Sequence, residues 1–182
     1  MAAQSYVPAT QKAAVVSELG RPVKVVSDYP VQAPGQDEVL AQVLYTGVCQ
    51  SDLHTAAGTA PGADGKYITN IKLPHVGGHE GVGRIISMGP SSSTTDVNVG
   101  DLVGIRFLAR ICHSCEYCTS AREQHCGKAT NHLHHEDGSF QEYCVLDRNY
   151  LTLLPADIDP KVMGPVLCAG VTAYKVSHAS AI

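Results

Sequence analysis

Residues 112–126 read CHSCEYCTSAREQHC, a run in which four cysteines recur with the spacing C-x2-C-x2-C-x7-C. The four are Cys112, Cys115, Cys118 and Cys126. Four thiolates at this spacing can close tetrahedrally around one zinc ion. A redox-active C-x-x-C pair is the main alternative, but that motif begins a helix, whereas the residues between these cysteines are polar and typical of a loop. The run therefore predicts a structural zinc site.

The other three cysteines lie far apart in the sequence. Cys49 begins the stretch CQSDLH, Cys168 lies in PVLCAG, and His79 lies between them in GGHEGVG. Two cysteines and one histidine are ligand types of a catalytic zinc that keeps an open position. Each has an ordinary alternative, because free cysteines are often buried as small apolar side chains and a lone histidine is more often a core residue. For Cys144, in the strand-like FQEYCVL, we favour the buried alternative.

The composition is typical of a globular, water-soluble protein with one domain. The 182 residues are 44% hydrophobic and 16% charged, which is enough for one ordinary core. A formal net charge of −4 without a Lys/Arg cluster argues against nucleic-acid or anionic-membrane partners. No signal-like N-terminus and no apolar run of transmembrane length is present, so we expect a cytoplasmic protein whose cysteines bind metal instead of forming disulfides.

The local patterns predict a mainly β fold with short helices. Segments rich in β-forming residues, separated by Gly and Pro, are 13–19, 23–29, 38–48, 83–88, 102–107 and 139–146, the pattern of a small barrel or sandwich. Helical signals are limited to a piece after Ser51, a turn over 160–168 and the segment 171–181. Residues 61–72 and 90–98 are predicted to be surface loops.

The order of the motifs resembles the zinc-containing alcohol dehydrogenases of the medium-chain dehydrogenase superfamily, especially the fungal type. The resemblance is carried by GVCxSDLH at 47–54, GGHEG at 77–81, GD at 100–101, the four-cysteine run, DGSF at 137–140 and LCAG at 167–170. It covers almost the whole chain. It implies one GroES-like catalytic domain over residues 1–182, built as a partly open β-barrel with a zinc-binding lobe at about residues 108–130.

The resemblance also implies two zinc ions per chain and NAD(P)-linked interconversion of small alcohols and carbonyl compounds. The implied ligands are Cys49, His79 and Cys168, with Glu80 as an exchangeable fourth, at the catalytic zinc, and Cys112, Cys115, Cys118 and Cys126 at the structural zinc. Ser51 matches the hydroxyl that takes the alcohol proton, and His54 matches the end of the proton relay. The ordinary alternatives are that Ser51 caps a helix and that His54 is simply exposed to solvent. Asp52 matches the carboxylate that orients the zinc-bound imidazole.

Several positions depart from the family pattern. Gln50 stands where fungal relatives have a basic or histidine side chain near the cofactor phosphates, so we expect weaker phosphate attraction there. Ala56, Ala60 and Phe107 match positions of the substrate pocket at which relatives have tryptophans, and a longer loop falls within 61–73. These changes predict a wider pocket. We expect the histidines of the polar segment NHLHHED, His132, His134 and His135, to be solvated and not to bind metal.

The family's nucleotide-binding domain has no counterpart in these 182 residues, and no G-x-G-x-x-G motif follows a strand. We therefore expect no dehydrogenase activity from this chain alone, NAD(P) binding only if a partner supplies the site, and a homo-oligomer or partner chain covering an exposed face. Two alternatives stay open. One is a redox-neutral zinc enzyme catalysing hydrolysis, hydration or elimination, and the other is a non-catalytic zinc-stabilised interaction module.

Overall fold

The computed structural model describes residues 7–62, 64–92 and 95–179, and ten short strands dominate it. These are β1 (Thr10–Val16), β2 (Lys24–Pro30), β3 (Glu38–Thr46), β4 (His75–Val76), β5 (Gly81–Met88), β6 (Leu102–Ile105), β7 (Leu108–Arg110), β8 (Thr130–Asn131), β9 (Tyr143–Asp147) and β10 (Thr152–Leu153). They form a three-stranded sheet in the order β2-β1-β4, a five-stranded sheet in the order β10-β6-β5-β3-β9 and the pair β7-β8. All strand pairs are antiparallel.

The main core lies on the five-stranded sheet, around β3 and β5. Its buried side chains are Val39, Ala41, Ile85, Val97, Val103, Ile105, Cys144 and Leu146. Strand β3 lies between β5 and β9, which explains why its first half is almost continuously apolar and buried. The buried alternative predicted for Cys144 is confirmed, since its side chain is 1% exposed.

The two larger sheets are joined where the chain approaches β9. Ala13 bridges Gln141, the Ala14 N–H donates to the Phe140 carbonyl, and the Glu142 N–H donates to the Lys12 carbonyl. The sheets thus curl towards each other into a partly open barrel, as predicted. Within the described ranges β2 pairs only with β1, so one edge of the barrel stays open.

The helices are short and lie at the margins of the barrel. They are α1 (Gln50–Ala57), α2 (Glu116–Thr119), α3 (Met163–Pro165) and α4 (Val171–Ala179), with 3-10 turns at Glu123–His125 and Pro160–Val162 and a π-helical turn at Val166–Gly170. The helix predicted after Ser51 is confirmed. The end of the helix predicted over 171–181 lies outside the described residues. No helix in the described part of the chain is both long and apolar enough to cross a membrane.

The prediction of one strand over 102–107 is wrong, because the strand stops at Ile105 and a new one begins at Leu108. The cause is His132, whose ring Nδ1 lies 2.7 Å from the Arg106 carbonyl and whose backbone N–H donates to the Phe107 carbonyl. The strand predicted from 139 begins only at Tyr143, because the Ser139 and Phe140 N–H groups donate to the Gly78 and Gly77 carbonyls.

Candidate metal centres

The first centre is built on the start of α1, where Cys49 is the N-cap residue. The Cys49 side chain accepts from the backbone of Asp52, and Asp52 Oδ2 accepts from the Cys49 N–H at 2.9 Å. This reciprocal arrangement is a capping box with cysteine and aspartate in place of the usual residues. It fixes the Cys49 sulfur at the helix start.

The Asp52 carboxylate also reaches a distant part of the chain. Its Oδ1 lies 3.1 Å from His79 Nδ1 and accepts from the Gly78 N–H at 3.0 Å. The Asp52 side chain is 4% exposed and that of His79 2%. Asp52 thereby holds the His79 ring with Nε2 turned to the neighbouring cysteine sulfurs, as a partner of a metal-bound histidine should. The role predicted for Asp52 agrees with this geometry.

His79 and Glu80 lie in the tight turn between β4 and β5. Glu80 packs so closely against Gly47 that a Cβ at position 47 would collide with its carboxylate, which would then have to move away from its present position. The Gly47 N–H donates to the Glu80 carbonyl at 3.0 Å. Glu80 is 6% exposed, and its carboxylate lies beside Cys168.

Cys168 is placed by the π-helical turn Val166–Gly170. Its neighbour Leu167 is buried with Val82 and Leu102, and the contact of Leu167 with Gly104 leaves no room for a side chain there. Single π-helical turns often occur at functional sites. Because of this turn the Cys168 sulfur lies 4.0 Å from the Cys49 sulfur, although 119 residues separate the two cysteines in the sequence.

The four donor groups are spaced as zinc ligands would be. One ligand atom each from Cys49, His79, Glu80 and Cys168 lies within 4.8 Å of the other three. Cys168 Sγ is 3.3 Å from His79 Nε2. Sulfur ligands of a tetrahedral zinc ion, with Zn–S bonds of about 2.3 Å, lie about 3.8 Å apart. The residues therefore fit a zinc ion bound by Cys49, His79 and Cys168, with Glu80 able to take the fourth position.

The ionisation of the two thiols supports this fit. Partial burial acts to raise the pKa of Cys49, yet that pKa lies below its ordinary value because Ser51 donates hydrogen bonds to the sulfur. Burial, and then the adjacent Cys49 sulfur, raise the pKa of Cys168 to about 12. Two thiolates this close repel each other, and a divalent cation between them would remove the repulsion.

The second centre is the predicted four-cysteine cluster, in the loop between β7 and β8. The sulfurs of Cys112 and Cys118 are 3.8 Å apart, those of Cys115 and Cys118 are 3.5 Å apart, and all four sulfurs lie within 4.8 Å of one another. Backbone N–H groups of residues 114 and 115 donate to the Cys112 sulfur and lower its pKa to about 5. The geometry matches a closed structural zinc site.

Ser51 lies at the first centre, but His54 does not touch it. The Ser51 hydroxyl is 3.7 Å from the Cys49 sulfur. His54 Nδ1 is 3.2 Å from the Thr59 hydroxyl, and its Nε2 is 3.5 Å from the Gln50 side-chain nitrogen. No hydrogen bond joins Ser51 to His54 within the described residues. A third group would have to connect them in a relay.

The three residues predicted to line the substrate pocket are not together. The Phe107 ring contacts the His79 ring edge-on, with centroids 6.1 Å apart, and Phe107 is 40% exposed beside the metal centre. Ala56 lines a separate cavity that none of the four metal-centre residues lines. Ala60 is buried, and its carbonyl accepts from the Ile68 N–H. Only Phe107 lies where a ligand of the metal centre could contact it.

The prediction that the histidines of NHLHHED are solvated is wrong for two of them. His132 is 3% exposed and His134 is 8% exposed, while His135 is half-buried. His132 holds the 106–107 segment, and so Phe107, by the two hydrogen bonds described above. Sequence reasoning missed this role because the neighbours of His132 are polar, which is typical of an exposed loop. In the structure the Asn131 side-chain oxygen accepts hydrogen bonds from the backbone of residues 133 and 134, and the chain turns inwards there.

Comparison with known proteins gives a family match. The family described as alcohol dehydrogenase GroES-like domain matches residues 35–156. Alcohol dehydrogenase 1 of Neurospora crassa is 42% identical over 172 residues, covering 94% of this chain and 46% of that protein.

Solved structures are similar over nearly the whole chain. Acetophenone reductase from Geotrichum candidum in complex with NAD has a TM-score of 0.81 at 26% identity, covering 98% of this chain and 50% of that chain. The cobalt- and zinc-bound thermostable alcohol dehydrogenase from Pyrobaculum aerophilum has a TM-score of 0.80 at 25% identity, covering 95% and 49%. The chain spans about half the length of the curated relatives it matches.

Proposed function

Because this chain belongs to the GroES-like catalytic domains of the zinc-containing alcohol dehydrogenases, in the medium-chain dehydrogenase superfamily, we propose that it supplies the metal-binding half of an NAD(P)-linked alcohol dehydrogenase. The substrate class is a small alcohol or the corresponding carbonyl compound. The observation that carries the proposal is the convergence of Cys49, His79, Glu80 and Cys168 on one point, with the Ser51 hydroxyl beside them. A bound zinc ion would act there as a Lewis acid for the substrate oxygen.

The residues around this point have distinct tasks in the proposal. Cys49, His79 and Cys168 would hold the metal, and Asp52 orients the His79 ring. Glu80 would be the fourth, exchangeable ligand. The Ser51 hydroxyl, 3.7 Å from the Cys49 sulfur, would accept the alcohol proton while it passes its own proton on towards His54 through the group that connects the two residues. Phe107 forms an apolar wall for the substrate carbon chain.

Hydride transfer needs a nicotinamide held next to the substrate, and proximity of this kind is a large part of the rate. We propose that a polypeptide segment outside these 182 residues, or a partner chain, provides that site, and that its cofactor connects Ser51 with His54. Large apolar side chains of α4, including Tyr174 at 66% exposed, give such a segment or a second copy a surface to cover. We also propose that the protein works in the cytoplasm.

Metal analysis and cobalt spectroscopy test the proposal. We expect two zinc ions per chain. After cobalt replaces zinc, addition of 2-propanol should change the visible absorption of a cobalt–thiolate site. Cys49→Ser should abolish that change and reduce the metal content to one ion, whereas Cys144→Ala, which alters a buried cysteine outside both centres, should preserve both.

Two results would contradict the proposal. One is a metal content that Cys49→Ser leaves unchanged, since the first centre would then hold no ion. The other is tight binding of NADH to the 182-residue chain alone, detected by cofactor fluorescence, which would show that the nicotinamide site needs no further segment.

A further inference from the structure

The side chains of strand β6 alternate between two faces of the sheet. Val103 and Ile105 are buried in the main core. Gly104, between them, faces the other way, since a Cβ there would collide with the Leu167 side chain. Because successive side chains of a strand point to opposite faces, a strand that continued to residue 107 would direct Phe107 into the main core.

Phe107 departs from this alternation. Its ring contacts the His79 ring edge-on, with centroids 6.1 Å apart, and it is 40% exposed. The departure is possible because β6 ends at Ile105 and β7 begins at Leu108, so that residues 106 and 107 belong to neither strand. The break in the strand therefore brings an aromatic side chain to a ligand of the first metal centre.

Arg106 is held at both ends within this break. Its guanidinium lies over the Tyr150 ring, 4.2 Å from the centroid, and donates to the Tyr150 carbonyl at 3.1 Å. Its own carbonyl lies 2.7 Å from His132 Nδ1. Burial lowers the pKa of His132, so its imidazole is neutral at pH 7 and carries one proton. A carbonyl only accepts hydrogen bonds, which assigns that proton to Nδ1.

The two hydrogen bonds of His132 differ in what they require of the residue. Its backbone N–H donates to the Phe107 carbonyl at 3.0 Å, and any residue except proline would form this bond. The bond from Nδ1 to the Arg106 carbonyl needs a side-chain donor directly after Cγ. Histidine and asparagine have such a donor, and leucine does not.

We propose that His132 is a positioning residue of the first metal centre. Its imidazole holds the break that turns Phe107 from the core onto His79, and it thereby places an apolar wall beside a substrate on the metal. The inference rests on the proposed function in one respect, namely that a substrate binds at this metal.

Nuclear magnetic resonance of the zinc-loaded 182-residue chain tests where the Phe107 ring lies, through the nuclear Overhauser contact between its protons and those of the His79 ring. The native chain should show the contact. His132→Leu, similar in size but without a donor, should lose it, and His132→Asn should restore it. His134→Leu is the matched control, because it removes another buried histidine, 8% exposed, whose ring does not bond to residue 106 or 107 in the described part of the chain. It should keep the contact.

The consequence for ligands is measured after cobalt replaces zinc. The visible absorption of the cobalt site gives the affinities for cyclohexanol and for 2-propanol. Phe107→Ala removes an apolar contact to the larger alcohol and should reduce the preference for cyclohexanol about fivefold. His132→Leu should show a similar reduction, and His132→Asn should keep the native preference.

The proposal is overturned if His132→Leu keeps the ring contact or the native preference, since the backbone bond would then be sufficient. Loss of the contact in His132→Asn as in His132→Leu would also overturn it. Failure of the proposed function looks different, because the native cobalt site would then respond to neither alcohol while the ring contact still reports on His132. Should His132→Leu not fold, the native chain decides, since a nitrogen chemical shift that shows no proton on His132 Nδ1 contradicts the bond to the Arg106 carbonyl.

Discussion

Asp52 connects two distant parts of the first metal centre. Both of its oxygens accept hydrogen bonds, one from the Cys49 N–H and the other from His79 and the Gly78 N–H. Asparagine has the same shape but only one accepting oxygen, so Asp52→Asn must turn an NH₂ group towards one of these donors. We expect zinc affinity at this centre to fall about 10- to 100-fold.

Competition with a chromophoric zinc chelator measures that affinity. Asp28→Asn, an equal change of charge at an exposed position of β2, is the control and should keep the native value. If both variants hold zinc equally well, Asp52 does not position His79.

The burial of His75 predicts a pH-dependent stability. Desolvation by burial is the largest influence on its pKa, with the Lys72 and His134 charges acting in the same direction and those of Asp137 and Asp52 against it. Its folded pKa of about 4 lies below the ordinary 6.5. The contribution of His75 is therefore complete above about pH 6.5 and is lost as the pH falls towards 4, a change of roughly 3 kcal/mol.

Urea unfolding at pH 7 and at pH 4 measures this loss. His75→Leu should lose less free energy of unfolding between the two pH values than the native chain does. Identical pH dependence in the two proteins would show that His75 is accessible to protons when folded.

At the scale of elements, the turn between β4 and β5 depends on Gly78. Gly78 has a φ of +98°, and a Cβ there would lie 2.9 Å from the Phe140 nitrogen, whereas Gly100 has a φ of +100° with nothing within 4 Å of its Cβ position. Alanine at either position adopts an unfavourable φ, but only Gly78→Ala also displaces backbone.

We therefore expect Gly78→Ala to reduce the free energy of unfolding by roughly 2 kcal/mol more than Gly100→Ala does. Denaturant titration of the two zinc-loaded variants measures the difference. Equal losses would mean that the segment 139–140 moves away from the turn without cost.

At the scale of the whole molecule, the two centres should hold metal independently. They share no ligand. We expect Cys112→Ser to remove one zinc ion and to open the loop between β7 and β8, while the first centre keeps its ion. Elemental analysis measures the content, and Cys144→Ala should retain both ions. Loss of both ions from Cys112→Ser would mean that the lobe supports the first centre.

The sequence predicted those parts of the molecule whose chemistry is carried by residue type and spacing. The four-cysteine cluster was predictable from its spacing, and the convergence of Cys49, His79 and Cys168 was predictable from the family resemblance. Both predictions were possible because few side chains can replace a thiolate or an imidazole at zinc. The main strands were predictable from their β-rich composition. The two-residue strands β4, β8 and β10 were not, because two residues carry no periodicity.

What the sequence did not reveal depends on tertiary position. His75 and His132 stand among polar or loop-like neighbours, yet both are buried, and only the path of the chain around Asn131 and Asp137 decides this. Ala56 was predicted to line the substrate pocket, but α1 presents it to the other cavity. The eight residues of α1 differ little in polarity from one face of the helix to the other. The sequence therefore does not show which face of α1 lines which cavity.

The separation of the ligands along the chain sets an order in which the two metal sites can form. Cys112 and Cys126 are 14 residues apart, whereas Cys49 and Cys168 are 119 apart. Closing the longer loop costs about 2 kcal/mol more chain entropy, and it requires both larger sheets to be in place. The four-cysteine cluster can therefore capture zinc on a growing chain soon after residue 126 is made. The other centre forms only when Cys168 arrives, which makes its metal uptake a late event of folding.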